Sequence, residues 1–205
     1  MGKIWFSDEC YFPISGYVNR QNTRLRARSR AAAGVRRLKE KQKFPKALMI
    51  WGAVSKIGKT RLDILPVGQR VNATTYDEML RFHIVPELRR LSGARRYIFQ
   101  QDGAPAHRAA VCQTMCRQLM LRFIPHDKWP ANSCDLNPMD YGVWGILRDK
   151  VLCQRYRSID ELKLAIQVGW DEISQETIYG IIDLWRRRLA AVIQNENGHV
   201  EHEFR

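Results

Sequence analysis

The run Tyr97-Ile98-Phe99-Gln100-Gln101-Asp102-Gly103-Ala104-Pro105-Ala106-His107 changes character at its midpoint. Tyr97 to Gln101 is short and apolar, the signature of a central strand. Asp102-Gly103 interrupts it. Ala104 to Leu119 then reads as a helix, with Pro105 tolerated in its first turn. An acid therefore closes a strand immediately before a helix opens. That arrangement belongs to a chain in which strands and helices alternate around a sheet.

Toward the N-terminus, residues 3–12 alternate Ile4 and Phe6 with Trp5 and Ser7 and read as a strand carrying Asp8. Residues 13–45 hold ten Lys or Arg and one Glu, with Gly16 and Gly34 as breaks, and form a basic insertion. Leu48 to Val54 and Arg61 to Leu65 flank Lys56-Ile57-Gly58-Lys59 as a hairpin. Asn72 to Leu91 reads as a helix capped by Asn72 or Thr74, which Pro86 kinks or ends. Toward the C-terminus, Leu121 to Ile124 is a strand and 126–138 a proline-bounded loop. Met139 to Cys153 is a helix that opens with Asp140. Ser158-Ile159-Asp160-Glu161 fits a capping box. Two helices follow it, split near Ser174 or Gly180. Three antiparallel strands followed by alternating units predict an α/β domain. Its layout is ribonuclease-H-like, a mixed five-stranded sheet with helices on both faces. One domain of 205 residues is expected, with 158–205 forming C-terminal helices.

In that layout Asp8 and Asp102 end neighbouring strands, and Asp140 begins a helix beside them. Three carboxylates delivered by separate elements suit hard divalent cations, and two ions a few ångströms apart can serve phosphoryl transfer. Without cations such acids repel. Asp135, before Leu136-Asn137-Pro138, reads as a turn-former. Glu9, next to Asp8, points to the other face of the strand and is not expected to be a ligand.

The formal net charge of +13 favours a polyanionic partner. Arg24, Arg26, Arg28 and Arg30 alternate, so an extended chain would present four guanidinium groups on one side; Arg36 and Arg37 follow. These residues are candidate DNA contacts. His107 is a candidate for a phosphate contact or for positioning water, beside a structural role. The basic run also reads as a nuclear-import signal, so a nuclear location is expected. No apolar stretch is long enough for a membrane span. Five cysteines fit a reducing compartment, with Cys112 and Cys116 as buried small hydrophobes. Trp129 is expected to pack beneath its loop, and Arg186-Arg187-Arg188 to form a solvated helix face.

Four separated motifs carry a family resemblance. Trp5-Phe6-Ser7-Asp8-Glu9, Ile50-Trp51-Gly52, Gln101 to His107, and Asp135 to Tyr141 with Trp144-Gly145 resemble, in order, the catalytic domain of Tc1/mariner-type transposases. The resemblance spans essentially the whole chain. It implies a DDE/D triad of Asp8, Asp102 and Asp140 that holds Mg²⁺ or Mn²⁺, two ions in all. It implies cleavage at transposon ends by water, then joining of 3′-hydroxyl ends to target DNA. The basic insertion falls where mariner relatives carry a loop that reaches the partner subunit, which implies a homodimer assembled on DNA. Thirty-seven residues separate Asp102 from Asp140, and the third acid is Asp, which resembles the DD37D branch. Cys134 stands where the family usually has Pro. Such transposases carry helix-turn-helix modules ahead of the catalytic domain, and none fits before Asp8. A catalytic domain without its own sequence reader is therefore expected. The competing expectation is a catalytically silent DNA-binding or assembly protein derived from such an enzyme.

Overall fold

The computed structural model describes residues 3–14, 47–120, 122–130, 133–195 and 204. Candidate contacts Arg24, Arg26, Arg28, Arg30, Arg36 and Arg37 lie outside the described residues.

Strand β1 (Ile4–Pro13) is the axis of the sheet. It pairs antiparallel with β2 (Ala47–Ser55) and parallel with β5 (Ile98–Gln100), which makes the sheet mixed. Two short strands, β3 (Gly58–Lys59) and β4 (Asp63–Ile64), pair with the far edge of β2. The hairpin turn falls at Lys56-Ile57, where the Ser55 hydroxyl accepts the Ile57 amide. Of the predicted strand 121–124, the described residues form one parallel bridge, Phe99 to Phe123, and Pro125, with no amide to donate, keeps the ladder from continuing past it.

Alternation along β1 sorts its side chains between two cores. Phe6, Cys10 and Phe12 join Leu48, Ile50 and Val54 beneath helices α5 (Trp144–Val151), α6 (Ile159–Asp171) and α7 (Gln175–Asp183). Trp5 joins Trp51 and Ala53 beneath α1 (Ala73–Met79), α2 (Val85–Ser92) and α4 (Ala110–Leu119). Helices thus cover both faces of a five-stranded sheet, as expected.

Several boundaries differ from the sequence reading for physical reasons. Asn72 is the cap, its side chain accepting the Thr75 amide. A π-helical turn, Leu80–Ile84, joins α1 to α2, and Pro86 sits in the first turn of α2, where its missing amide costs nothing. The helix after Asp102 breaks at Ala109, whose backbone is extended, into α3 (Pro105–Arg108) and α4. Ser158 and Ser174 cap α6 and α7 through their hydroxyls. The second split comes not at Gly180, which stays inside α7, but at Leu184, before α8 (Trp185–Gln194). Among the described residues, the two helices predicted after 158 are therefore three. No described helix is long and apolar enough to cross a membrane.

Candidate active site

The register brings the first two acids together. Ile4, Trp5 and Phe6 lie opposite Ile98, Phe99 and Gln100, so Asp8, inside β1 rather than at its end, stands beside the point where the chain leaves β5 toward Asp102. The Ser7 hydroxyl donates to the Gln100 carbonyl (2.8 Å) and ties the two ends. The third acid arrives through Asn137. Its side-chain amide donates to the Ser7 carbonyl (3.2 Å), and its side-chain oxygen accepts the Met139 amide (3.2 Å). One buried asparagine thus clips the Leu136-Asn137-Pro138 turn onto β1 beside Asp8. A π-helical turn, Met139–Val143, follows Pro138 and carries Asp140 over the sheet end.

Asp8 is buried, and its Oδ2 accepts a 2.7 Å hydrogen bond from Trp144 Nε1. Gly52 makes that contact possible. It lies opposite Asp8 in the ladder, and a Cβ there would stand 2.9 Å from Leu62 and 3.4 Å from the Trp144 ring. The Trp-Gly pair of β2 is therefore a packing requirement of the first acid.

Burial raises the Asp8 pKa well above the carboxylate range, the Asp140 charge raises it further, and the Trp144 bond only partly opposes them. Asp140 keeps part of its surface in solvent. Loss of water around its carboxyl still pushes it up to about 6, with a contribution from Asp102. Hydrogen bonds with Asp8 and Asn137 and the Arg148 charge pull the other way. Asp8 and Asp140 thus each bind a proton more tightly than an isolated carboxylate does.

Asp102 differs. Burial alone would raise it, but the bond and charge of His107, with the Ala104 amide, outweigh burial and hold it below the usual range. His107 Nδ1 lies 2.6 Å from Asp102 Oδ1, and the Ala104 amide donates to the same oxygen at 3.0 Å. Oδ1 is doubly engaged, so Oδ2 is the atom left for a cation.

His107 is 2% exposed, which removes it from the expected phosphate contacts. Its Nε2 faces Glu9 Oε1 at 3.3 Å, too poorly aligned for a good hydrogen bond but close enough for strong charge attraction. Glu9 does point to the face opposite Asp8, as alternation requires, and there it meets His107. Burial opposes a charged imidazole, yet Glu9 and Asp102 together raise His107 to about 10. The Tyr76 ring packs on the imidazole at 4.1 Å. One atom each from Glu9, Asp102 and His107 lie within 4.8 Å of one another, a spacing that would also admit a cation. The 2.6 Å contact is instead a direct hydrogen-bond length and fits a protonated ring bridging two carboxylates.

Other expectations resolve by burial. Asp135 is buried in the turn, consistent with a structural role. Trp129 packs with Leu136, Ala191 and Val192. Cys112 and Cys116 are buried within the α4 core. Arg188 departs from the solvated face assigned to Arg186-Arg187-Arg188. It is 6% exposed, lies 4.0 Å over the Tyr141 ring and donates to the Asp135 carbonyl. Trp185 Nε1 donates to the Leu136 carbonyl (2.8 Å), and the Tyr141 hydroxyl to the Ile181 carbonyl (2.9 Å). Helices α7 and α8 therefore brace the segment that carries Asp140. Sequence reading missed Asn137, Trp144 and Glu9 as site residues. The Asn-Pro turn and the Trp-Gly pair were visible signals for the first two.

A mixed five-stranded sheet with helices on both faces, a parallel β1–β5 pair and a helical turn carrying Asp140 beside it, has the ribonuclease-H-like layout. No protein-family model matches the chain. It is 30% identical over 157 residues to the Tc3 transposase of Caenorhabditis elegans, covering 76% of this chain and 46% of that protein. It is 25% identical over 147 residues to the Tcb1 transposase of Caenorhabditis briggsae, covering 72% and 51%. The chain spans about half the length of the curated relatives it matches. In fold it resembles a Mos1 transposase paired-end complex with left transposon end (TM-score 0.79, 22% identity, covering 97% of this chain and 56% of that one). It also resembles the Mos1 mariner transposase catalytic domain (TM-score 0.69, 21% identity, covering 97% and 84%). The chain belongs to the Tc1/mariner transposases, and over 97% of its length it shares the fold of the Mos1 mariner catalytic domain.

Proposed function

We propose that this chain is the catalytic part of a DNA transposase, one that cuts transposon-end DNA and joins 3′-hydroxyl ends to target DNA. The observation that carries this reading is the register that sets Asp8 beside the exit of β5 toward Asp102, with Asn137 clipping the segment of Asp140 onto β1 at Ser7.

The residues fit divalent cations of the magnesium kind. The donors are all carboxylate oxygens, and two of the three have raised pKa values, to which neighbouring acids contribute a repulsion that a cation would relieve. Asp102 would offer Oδ2 and Asp8 the oxygen not engaged by Trp144, with Asp140 opposite. Two bound ions would activate the attacking oxygen and stabilise the leaving one. The protein's own part is positional. Trp144, Asn137 and the Asp102–His107–Glu9 bridge fix three carboxylates from three elements at one point. The related Mos1 mariner transposase has been solved in paired-end complexes with Mn and with Mg, which supports the same ion class here.

DNA is the proposed partner, in a homodimer, with Arg24 to Arg37 contacting phosphates or the second subunit. The net charge of +13 supports this, and the same basic run supports a nuclear location. The test is incubation with a pre-nicked or 3′-hydroxyl-ended duplex and Mg²⁺ or Mn²⁺. Metal-dependent cleavage or joined products are expected. Their absence at every metal concentration would refute the reading.

A further inference from the structure

From Leu88 to Arg122 the chain carries seven arginines, no lysine and a single acid, Asp102. The fold separates that acid from most of these cations. Asp102 leaves the C-terminal end of β5, whereas Arg95 and Arg96 lead into its N-terminal end. Lys3 and Arg122 flank the same strand start. The Ile98 amide donates to the Lys3 carbonyl (2.7 Å), and the Phe99 amide to the Arg122 carbonyl (2.9 Å). Three neighbouring chain segments thus deliver Lys3, Arg95, Arg96 and Arg122 to one end of the sheet, and all four are exposed.

Arg89, Arg90 and Arg117 border this cluster and have ordinary explanations. They stand in the last turns of α2 and α4, where cations complement the helix dipole. Arg89 also donates to the Leu119 carbonyl, and Arg90 is held by Glu87. That account does not reach Lys3, Arg95, Arg96 or Arg122, which lie outside helices. None of the four has an acidic partner among the described residues. Four unneutralised cations on adjacent segments repel one another, a cost that a polyanion removes. Three of them are arginines, whose planar forks match phosphate in two-point contacts.

We propose that this end of the sheet is a second DNA-binding surface. It engages the phosphate backbone of duplex DNA without sequence preference, apart from the acids. Lys3 and Asp8 are separated by five strand steps, roughly 17 Å at about 3.3 Å per residue. The patch is therefore at the opposite end of the sheet from the reacting phosphodiester, and it holds DNA that is not being cut. The choice of duplex DNA over other polyanions rests on the functional reading of the acids.

The test is binding of a random-sequence duplex in chelator across a salt series, comparing wild type with Arg95→Gln/Arg96→Gln/Arg122→Gln. Loss of three phosphate contacts should flatten the slope of log K against log salt by about 2.7. A photo-crosslinker at position 96 should capture the duplex. Metal-dependent cleavage at saturating duplex should be unchanged by the triple substitution. An unchanged slope, or no crosslink, would overturn the proposal. So would loss of binding to an acidic peptide with duplex affinity retained. Because the binding assay needs neither metal nor cleavage, wild type that fails to cleave but shows the slope difference refutes only the reading of the acids.

Discussion

Replacing His107 with Gln removes the charge between Asp102 and Glu9 while keeping a polar side chain of similar reach. Folding raises His107 from 6.5 to about 10, so the native state keeps a proton that the unfolded chain releases above about 6.5. The stabilisation is complete below that pH and is lost as pH climbs toward 10. The whole shift corresponds to about 5 kcal/mol at most. Between pH 7 and 9 one extra bound proton lowers stability by about 2–3 kcal/mol. Urea unfolding in chelator should show this as a difference between wild type and variant that narrows by that amount over the window. Taking the difference cancels groups common to both proteins. The variant itself should be about 3–5 kcal/mol less stable at pH 7, because two buried carboxylates lose their partner. If that prevents folding, Glu9→Gln, which removes only the outer contact, should show a smaller change of the same sign. A wild-type minus variant difference independent of pH from 7 to 9 would refute the protonated bridge.

Trp144→Phe keeps the packing but withdraws the donor from buried Asp8, at a cost of about 1–3 kcal/mol measurable by urea unfolding. Gly142→Ala places a Cβ 2.6 Å from Ile181 Cγ2 in the turn that carries Asp140, and should cost about 1–3 kcal/mol. In an Ile181→Ala background, which lacks the clashing Cγ2, the added cost of Gly142→Ala should be smaller in the same assay. Asp8 and Asp140 have raised pKa values, so in chelator their protonation favours the native state, and this contribution is lost as pH rises, through about 6 for Asp140. Mg²⁺ or Mn²⁺ should therefore raise the melting temperature more at pH 8 than at pH 5, as calorimetry can show; an equal rise at both would count against cation binding by these acids.

Local pattern carried most of the fold. Alternation through Ile4 to Phe12 and the strand-to-helix change at Asp102 predicted elements that the structure contains, because both are one-segment signals. The losses came where tertiary contact overrides local preference. The π-helical turn that lets Pro86 begin a helix has no distinct sequence signal, and neither does the extended break at Ala109. At the site, the three acids were legible because each falls in a short motif of its own, Asp8 within a strand, Asp102 just after one and Asp140 at the start of a helical segment. Their supports were not. Asn137 acts across 130 residues on the Ser7 carbonyl, and Trp144 across 136 on Asp8. For His107 the sequence left a phosphate contact and a structural role side by side, because helix periodicity alone does not reveal that α3 turns it inward onto Glu9. Arg188 was misplaced for the same reason. An arginine triplet looks solvated until Tyr141 is found beneath one member.

The central claim is that Asp8, Asp102 and Asp140 together hold the ions that cut DNA. Its most direct test is Mn²⁺-dependent cleavage of a 3′-hydroxyl-ended duplex by wild type and by single Asp→Asn variants at the three positions, with exposed Asp127→Asn as control. Each triad variant should lose on the order of 10³-fold in rate, the equivalent of several kcal/mol of ion-mediated stabilisation, while the control cleaves like wild type. Equal cleavage by wild type and Asp102→Asn would contradict the account.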